Sequence, residues 1–389
     1  MWDESPRILD AATSLFGSVE DTTLAKLTIK AKVTDDSKSK LEFLNREYGN
    51  FQAYLQGKKD IDLYSATKQQ ADRLKQRILK FGGRINGKKQ YPLILRRDLI
   101  NIRKDSKFPC VYWMKVPVYP KSVNLRIQTD YRHELTEYDL REAKVIQQSG
   151  QWYIFLCIEK ESEEPKPASN ILAIDLGVRH IAVTTNTANT RPNLYGKDLR
   201  RIRGFYFNLR RKLGQKKAFY KIKAVKNREF LQVNYELHRI SKEIVDEARR
   251  TNAIIVVGKL KGIRQRIKAG RRVRRLINNF PYHRLVQYIK YKAEWIGIKV
   301  IEVSEAYTSQ TCHNCHVRDK AARKTQGMFE CKNCGSECNA DYNGSINIMQ
   351  RALGILSKVG GILIIPEPLV IAGRSKMITE ESHMLQRWE

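Results

Sequence analysis

The sequence predicts a two-part chain of the α/β plus β-barrel class, with a small β-barrel first and an α/β part after it. Three observations predict this division. Strand-like segments surround a helical stretch in the first 160 residues. The segment ESEEPKPAS at 161–169 has the composition of a linker. Beyond it, continuous apolar segments typical of buried strands alternate with long helical patterns.

The first part begins with LAKLTIKAKVT at 24–34, where apolar and polar residues alternate as they do in a half-buried strand. Helical periodicity follows over 37–82, and strand-like segments return over 91–160. Among them, AKVIQQSGQWYIFLCI predicts a hairpin that turns at Ser149 and Gly150. We therefore predict a β-barrel over 1–160 with a helical insert at about 37–90, followed by a linker over 161–170.

The second part opens with NILAIDLGVRHIAVTT, which predicts a buried strand, a tight turn at Gly177 and a second strand. A helix is predicted over 229–250, and the apolar segment IIVVGKL at 254–260 predicts another buried strand. FPYHRLVQYIKYKAEWIG then has the periodicity of an amphipathic helix, and IKVIEVS has that of a strand. Strands that alternate with helices in this way are typical of an α/β domain.

A net charge of +31, from 72 basic and 41 acidic residues, is the strongest compositional signal. An excess of this size destabilises a compact chain by self-repulsion unless a polyanion neutralises it, so a nucleic acid is the expected partner. An anionic membrane surface is the competing interpretation. The longest apolar stretch, at 361–372, is interrupted by two prolines and is far too short to span a bilayer. Because the N-terminal segment also lacks the pattern of a secretory signal, we expect a cytoplasmic protein with no membrane partner.

Two segments concentrate the positive charge. Over 197–228 there are thirteen Lys or Arg residues against a single acid, Asp198, with five aromatic residues interleaved. KLKGIRQRIKAGRRVRR at 259–275 has nine basic residues and no acid. A solvated helical face is the alternative, but this imbalance is too large for pairing between i and i+4 neighbours to explain it. We predict phosphate contacts from Arg200, Arg201, Arg203, Arg210, Arg211, Lys212, Lys216, Lys217, Arg271, Arg272, Arg274 and Arg275.

Four of the seven cysteines form two C-x2-C pairs that are separated by fifteen residues. These four are Cys312, Cys315, Cys331 and Cys334. Each turn is tight enough for both thiolates to reach one ion, so the spacing predicts a four-cysteine zinc site. Such a closed site has no open position for a substrate, and its Zn²⁺ is therefore structural. His313, His316 and Cys338 are alternative ligands, and four unliganded cysteines are the alternative without a metal.

Five segments, in this order along the chain, resemble the C-terminal half of the TnpB family. They are LAIDLGVRHIAV, RLINNFPYHRLVQYIKYKAEWIGIKV, EAYTSQTCHNC, CKNCG and CNADYNGSINI, and together they cover roughly residues 171–352. TnpB proteins are transposon-encoded relatives of the type V CRISPR effectors. The resemblance implies an RNA-guided DNA endonuclease of an insertion sequence, often described as a transposase. It also implies a guide RNA and a double-stranded DNA target as partners.

The same resemblance implies a fold. An RNase H-like (RuvC) nuclease core is expected over 171–310, an inserted zinc ribbon over 311–335 and the last RuvC helix over 336–352. The first 160 residues match the family only in outline, as its wedge-type β-barrel with an inserted helical recognition lobe. Residues 1–22 and the tail over 353–389 match nothing that we can assign.

A nuclease of this type needs several carboxylates that converge on two Mg²⁺ ions, which prefer hard oxygen ligands. Asp175 lies in a buried strand pattern, where an unpaired carboxylate is costly, and the first catalytic aspartate of the family falls there. Its alternative is an acid paired with an arginine. Asp341 corresponds to the last catalytic aspartate, and its alternative is a helix N-cap. Two residues earlier the family usually has another aspartate, where this chain has Asn339.

The middle glutamate of the family falls at Gly258, which offers no side chain. Two carboxylates alone make a poor two-metal site. Some members of the family carry a relocated acid, and we predict that Glu294 is the third catalytic residue. Its alternative is an exposed helix glutamate paired with Lys290, and Glu302 and Glu305 are weaker candidates. Without a third carboxylate, the protein would be a nuclease-inactive, RNA-guided DNA-binding protein, which is the second hypothesis.

Overall fold

The computed structural model describes residues 24–87, 89–148, 150–161, 167–177, 179–189, 191–259, 280–325 and 327–359. The chain divides near residue 162 into two units. Among the described helices, none is both long and apolar enough to cross a bilayer. Four of the predicted phosphate-binding residues lie outside the described residues, namely Arg271, Arg272, Arg274 and Arg275. Residues 1–22 and most of the tail over 353–389 lie outside them as well.

The first unit is built on a seven-stranded antiparallel sheet. Its strands are β1 (Leu24–Val33), β2 (Leu93–Arg96), β3 (Asn101–Lys104), β4 (Val111–Val116), β5 (Val123–Thr129), β6 (Asp139–Gln148) and β7 (Gln151–Glu161). Their hydrogen-bonded order is β2-β6-β7-β1-β5-β4-β3. Two helices, α1 (Lys38–Leu55) and α2 (Ser65–Lys80), lie between β1 and β2 in the chain, within the range predicted for the helical insert. The predicted hairpin is also confirmed, because Gln148 of β6 pairs with Gln151 of β7.

The two edges of this sheet force it to curl. Its edge strands, β2 and β3, are separated in the chain only by 97–100, which include the 3-10 turn Arg97–Leu99. A flat sheet would place these edges about 29 Å apart, because six strand spacings of about 4.8 Å lie between them. The connecting residues reach about 18 Å when fully extended. The sheet therefore forms a curled half-barrel, whereas the sequence predicts a barrel; no β2–β3 pairing occurs among the described residues.

The second unit contains a five-stranded mixed sheet with the order β10-β9-β8-β11-β12. The strands are β8 (Asn170–Asp175), β9 (Ala182–Asn186), β10 (Asn193–Tyr195), β11 (Ala253–Lys259) and β12 (Val300–Ser304). The helices are α3 (Lys197–Gln215), α4 (Phe219–Arg250), α5 (Tyr282–Trp295) and α6 (Ala340–Val359). β8, β11 and β12 run parallel, with Val257 of β11 opposite Ile174 of β8 and Glu302 of β12. Their carboxyl ends therefore meet at one edge of the sheet.

Helices cover both faces of the sheet, which explains why its strands are continuously apolar in sequence. On one face, Ile174, Ile255 and Val257 pack in a core with residues of α4 and α5. On the other face, Ala173, Val256 and Val303 pack with residues of α6, among them Ile346 and Met349. Successive side chains of each strand point to opposite faces of the sheet, so each strand residue packs against the helices on one face only.

The hairpin that precedes α6 changes one predicted boundary. β13 (Met328–Glu330) and β14 (Glu337–Asn339) pair as a two-stranded antiparallel sheet. Because 337–339 belong to this sheet, α6 begins at Ala340, and it runs to Val359 rather than over the predicted 336–352. The predicted helix over 229–250 is likewise longer, since α4 begins at Phe219.

Gly196 determines how α3 leaves the sheet. It precedes the first residue of α3 with a φ of +72°, in the left-handed region that favours glycine. A Cβ placed there would lie 2.6 Å from Cγ2 of Ile181, a fully buried side chain. Both the backbone conformation and the packing therefore require glycine at this position.

We expect Gly196→Ala to lower the free energy of unfolding of the second unit by at least about 1 kcal/mol, because it adds backbone strain and a steric clash. Chemical denaturation of the full chain measures the change. Gly204→Ala is the matched control, since Gly204 lies inside α3 and a Cβ there would have no heavy atom within 4 Å. The control is expected to be neutral or stabilising by about 0.5–1 kcal/mol. A Gly196→Ala variant as stable as the parent would contradict this account of the turn.

Candidate functional site

Asp175 ends β8 and points to the face of the sheet that α6 covers, as do Ala173 and Ile171, two and four positions before it. Burial first, and the nearby carboxylate of Asp341 second, raise the pKa of Asp175 to about 7. No ion pair to Asp175 occurs among the described residues, because Arg323 pairs with Asp341 instead. The arginine-paired alternative for Asp175 is therefore not what the structure contains.

Asp341 lies in the first turn of α6 and is only 5% exposed. The N-cap of this helix is Asn339, whose Oδ1 accepts hydrogen bonds from the backbone N–H groups of Asp341 (2.9 Å) and Tyr342 (3.3 Å). The carboxylate of Asp341 is therefore free of the capping role. Its Oδ1 accepts a hydrogen bond from Arg323 at 3.4 Å, whereas its buried Oδ2 has no hydrogen-bond partner among the described residues. Burial raises the pKa of Asp341 despite this arginine.

Gly344 and Gly177 lie beside the two aspartates. A Cβ at Gly344 of α6 would lie 2.8 Å from Oδ2 of Asp175, so only glycine leaves room for that carboxylate against the helix. A Cβ at Gly177 would lie 3.6 Å from Oδ2 of Asp341. The structure therefore brings Asp175 and Asp341 together at the junction of β8 and α6.

A third carboxylate lies beside this pair, and it belongs to Glu305, directly after β12. A Cβ at Gly258 would lie 2.0 Å from Oε1 of Glu305, so the carboxyl group of Glu305 fills the space that the side chain of residue 258 would occupy. Burial first, and Asp175 second, raise the pKa of Glu305 to about 8. Its Oε1 is buried without a hydrogen-bond partner among the described residues.

Glu294, which the sequence predicts as the third catalytic residue, is not part of this cluster. Burial raises the pKa of Tyr282, the first residue of α5, and the charges of Asp175, Glu305 and Asp341 raise it further. The start of α5 therefore lies close to the cluster. Glu294 is exposed near the other end of α5. Twelve residues of helix separate the two positions, which is a distance of about 18 Å.

The other candidates near Glu294 have separate roles. Lys290, the predicted partner of Glu294, instead forms an ion pair of 2.6 Å with Glu302. Glu302 alternates with Ile301 and Val303 along β12 and so lies on the opposite face of the sheet from Asp175. By the same alternation, Glu305 follows Ile301 and Val303 onto the face of Asp175. This period-two pattern is the signal in the sequence that could have identified Glu305.

The cluster has the chemistry of a site for a hard divalent cation. Buried carboxylate oxygens without partners each cost about 1–3 kcal/mol unless an ion or a donor satisfies them. Asp341 Oδ2 and Glu305 Oε1 are two such atoms in one place, next to the carboxylate of Asp175. Carboxylate oxygens are the ligands that Mg²⁺ prefers in proteins. The residues therefore fit the predicted metal, and one arginine, Arg323, offsets part of their charge.

The four predicted zinc ligands form a single cluster. The Sγ atoms of Cys312, Cys315, Cys331 and Cys334 all lie within 4.8 Å of one another. Cys312 and Cys334 are 3.7 Å apart at their sulfurs, and Cys315 and Cys331 are 3.5 Å apart. A tetrahedral ion with Zn–S bonds of about 2.3 Å separates its sulfurs by about 3.8 Å. These four cysteines could therefore hold one metal ion.

The two cysteine pairs sit on backbone turns of the same geometry. The carbonyl of Cys312 accepts a hydrogen bond from the N–H of His316, and the carbonyl of Cys331 accepts one from Gly335, both at 2.9 Å. The residue that closes each turn is left-handed, with a φ of +60° at His316 and +68° at Gly335. The turns thus present both thiols of each pair to one point. Among the alternatives, Cys338 lies near the cluster, with its Sγ 3.9 Å from Nδ1 of His313.

The predicted basic surface is only partly available to a ligand. Glu229 of α4, which is 8% exposed, forms an ion pair with Arg210 and lies 3.9 Å from Arg203. Arg201 pairs with Asp198 at 3.2 Å. The remaining predicted residues of α3 and the turn after it are exposed, without an acidic partner within 4 Å in the described part of the chain. They are Arg200, Arg211, Lys212, Lys216 and Lys217.

Comparisons with known proteins agree with this arrangement. The family model described as Cas12f1-like, TNB domain matches residues 282–348. The chain is 27% identical over 220 residues to the CRISPR-associated endodeoxyribonuclease Cas12f2 of a Micrarchaeota archaeon, which covers 52% of this chain and 40% of that protein. It is 29% identical over 207 residues to the TnpB-like protein MJ0751 of Methanocaldococcus jannaschii, which covers 50% of this chain and 73% of that protein.

A solved structure is similar along most of the chain. The cryo-EM structure of a Cas12f1–sgRNA–target DNA complex aligns with a TM-score of 0.56 and 15% identity, covering 80% of each chain. At 15% identity, this similarity concerns the fold alone. The chain spans less than half of the length of the Cas12f2 relative.

The chain, with its half-barrel sheet, its mixed sheet and its cysteine cluster, is similar in fold to this Cas12f1 structure. The family model and the TnpB-like relatives support the TnpB family, which the sequence motifs resemble. The resemblance identified from the sequence motifs is thus confirmed.

We expect Cys331→Ser to lower both the bound zinc and the melting temperature of the second unit, because metal binding and folding are coupled in such clusters. Elemental analysis and thermal unfolding of the full chain measure the two quantities. Cys338→Ser is the matched control, since Cys338 lies near the cluster but outside the set of four. If Cys331→Ser kept one zinc per chain, or if Cys338→Ser lost it, the ligand assignment would be wrong.

Proposed function

We propose that the protein is an RNA-guided DNA endonuclease of an insertion sequence, which cleaves DNA by metal-dependent phosphodiester hydrolysis. The observation that carries the proposal is the meeting of Asp175 and Asp341, both buried, at the junction of β8 and α6. Two buried carboxylates that repel each other are unfavourable in a structural core and are typical of cation-binding catalytic sites. The relatives named endodeoxyribonucleases add support from outside the chain.

In this proposal the second unit is an RNase H-like (RuvC) nuclease domain. Its core spans 171–310 and is completed by the last helix, with the zinc ribbon over 311–335 inserted between them. Zinc in the ribbon is structural, because four cysteines leave no open position for a substrate. The first unit, over 1–160, corresponds to the wedge with its helical recognition insert at about 37–90. These domain boundaries are part of the proposal, whereas the structure itself divides the chain into two units.

The chemistry assigns distinct tasks to the residues of the site. Two Mg²⁺ ions, when bound, would activate a water molecule and stabilise the leaving oxygen of the phosphodiester. Asp175 and Asp341 would hold them, and Gly344 leaves room for the carboxylate of Asp175 against α6. Arg323 fixes Asp341 by its hydrogen bond to Oδ1 and leaves Oδ2 available. Asn339 accepts hydrogen bonds from the backbone N–H groups of Asp341 and Tyr342 and so fixes the first turn of α6, from which Asp341 projects.

Nucleic-acid binding would use the exposed basic residues of α3 and the turn after it. Three aromatic side chains interleaved with them, Phe205, Phe219 and Tyr220, are also exposed, between 61% and 76%. Cations that contact phosphates and aromatic rings that stack on bases together form a surface suited to nucleic acid. By analogy with the guided complex of similar fold, the ligands are a guide RNA and a double-stranded DNA target. Such a protein acts on DNA in the cytoplasm of a prokaryotic cell.

The second hypothesis, a nuclease-inactive guided DNA-binding protein, has Gly258 in its favour. A chain that lacks the middle carboxylate and gains nothing in its place has no reason to keep Asp175 and Asp341 buried together. The buried pair therefore favours the nuclease.

We expect the affinity for DNA to fall steeply with salt, because each neutralised phosphate releases counterions. Neutralising Arg211, Lys212 and Lys216 together should flatten the slope of log affinity against log salt by about two to three units. Arg210→Ala is the contrasting variant. Because Arg210 is paired with Glu229, its loss should lower the melting temperature and change the slope little. A slope that is unchanged in the triple variant would remove this surface from the binding site.

We expect Asp175→Asn and Asp341→Asn each to reduce cleavage of a guide-matched duplex by at least about a hundredfold while leaving guided binding intact. Sequencing the RNA that co-purifies with the chain defines the guide for this assay. Glu294→Gln is the matched control and should cleave as the parent does, since Glu294 is exposed and far from the cluster. A parent protein that binds the matched duplex but does not cut it in the presence of Mg²⁺ would establish the second hypothesis instead.

A further inference from the structure

We propose that Glu305 is the third metal-binding carboxylate of the site and that Gly258 exists to make room for it. The proposal rests on the proposed nuclease function and concerns which residue replaces the missing middle acid. It assigns a role to the first residue after β12, on a different strand from the position where the acid is expected.

The order of the strands makes this exchange geometrically simple. β11 lies between β8 and β12, and all three run parallel, so their carboxyl ends are neighbours. Asp175 ends β8, Gly258 lies opposite Val303 near the end of β11, and Glu305 follows the last residue of β12. Adjacent strands are about 4.8 Å apart, so a glutamate side chain can reach from one strand end across its neighbour.

All three positions lie on the face of the sheet that α6 covers. Val256 of β11 and Val303 of β12 pack in the same core as Ala173 of β8. Two residues further along each strand stand Gly258, Glu305 and Asp175, and a step of two residues keeps the face. Asp341 projects from α6 onto this same face. Glu305 thus stands beside Asp175 on the face that Asp341 approaches, whereas Glu302 points to the opposite face.

The space at Gly258 is the decisive observation. A Cβ at this position would lie 2.0 Å from Oε1, 2.3 Å from Cγ and 2.5 Å from Cδ of Glu305. Every other residue type would therefore displace the side chain of Glu305 from its place beside Asp175. The carboxylate of Glu305 can occupy its place beside Asp175 because residue 258 has no side chain.

The backbone around Glu305 is held firmly. Arg351 of α6 donates hydrogen bonds to the carbonyls of Ser304 and Ala306, on either side of Glu305. The carbonyl of Glu305 itself accepts hydrogen bonds from the N–H (3.2 Å) and Oγ1 (3.0 Å) of Thr308. Because α6 also carries Asp341, the same helix fixes both carboxylates relative to each other. Arg351 is therefore a positioning residue for Glu305.

A structural role does not account for Glu305. Its Oε1 is buried, and no described residue donates a hydrogen bond to that atom. Among the described residues, no Lys or Arg forms an ion pair with it either, in contrast to Glu302, which Lys290 neutralises. A cation shared with Asp175 would satisfy this oxygen.

The first experiment measures metal binding directly, by calorimetric titration of Mn²⁺ into the full chain. Glu305→Gln is expected to weaken Mn²⁺ binding at least tenfold, and Asp175→Asn should do the same. Glu302→Gln and Glu294→Gln are the matched controls and should bind as the parent does. If Asp175→Asn weakens binding and Glu305→Gln does not, the inference about Glu305 is wrong while the proposed site stands. If neither variant weakens binding, the proposed nuclease site itself is wrong.

Thermal unfolding separates a metal-binding role from a structural one. Without metal, Glu305→Gln should melt at or above the temperature of the parent, because it removes a carboxylate that Asp175 repels. With Mn²⁺, the parent should gain more in melting temperature than the variant does. A variant that melts lower than the parent without metal would show that Glu305 supports the fold, which would overturn the proposal.

The second experiment exchanges the two positions. Gly258→Glu alone should weaken Mn²⁺ binding, since its side chain would collide with Glu305 and add a fourth carboxylate. The double variant Gly258→Glu with Glu305→Gly should bind Mn²⁺ more tightly than either single variant, because the acid then stands on β11 and the space at 305 is open. A double variant that binds no better than Glu305→Gly would contradict the equivalence of the two positions.

Discussion

The packing of α6 against the carboxyl ends of β8, β11 and β12 is the contact on which the candidate site depends. Asp341 and Gly344 belong to this helix, and the first brings a carboxylate while the second leaves space for Asp175. If α6 packed less closely against the sheet, Asp341 would lie further from Asp175. The strand core beneath them, formed by apolar residues such as Val256 and Val303, holds α6 at this distance.

This close packing has an electrostatic consequence. The carboxylates of Asp175, Glu305 and Asp341 lie where burial disfavours their charged forms, and the pKa of each is raised. Only Arg323 offsets their charge through an ion pair in the described residues. A divalent cation would relieve both the burial penalty and the repulsion. The free-energy cost of burying these carboxylates close together therefore favours metal binding at this edge of the sheet. Two glycines, at 258 and 344, leave room for the carboxylates of Glu305 and Asp175, which a side chain at either position would displace.

Two other features of the second unit are the cysteine turns and the basic residues of α3. The cysteine turns hold the hairpin that leads directly into α6, so a metal at the cysteines would stabilise the N-terminal end of the helix that carries Asp341. The basic residues of α3 divide into two groups with different physical roles. Arg203 and Arg210 neutralise the buried Glu229 and fasten α3 to α4, whereas their exposed neighbours remain available for phosphates. Part of the charge in this segment therefore serves the fold, and the exposed part is what the proposed binding surface would use.

Features that depend on local spacing could be predicted from the amino-acid sequence alone. The cysteine pairs, the buried strand that ends in Asp175, the helix with Asp341 and the basic segment of α3 are all contained in short stretches of chain, and the structure places them where those patterns predict. Which glutamate stands beside Asp175 could not be predicted in this way, because it depends on the register between β11 and β12 and on the face of the sheet that each residue occupies. Glu294 is nearer to Gly258 in the chain than Glu305 is, but the helix that carries it runs away from the acidic edge. The curl of the first sheet likewise follows from strand order, which residue periodicity does not contain.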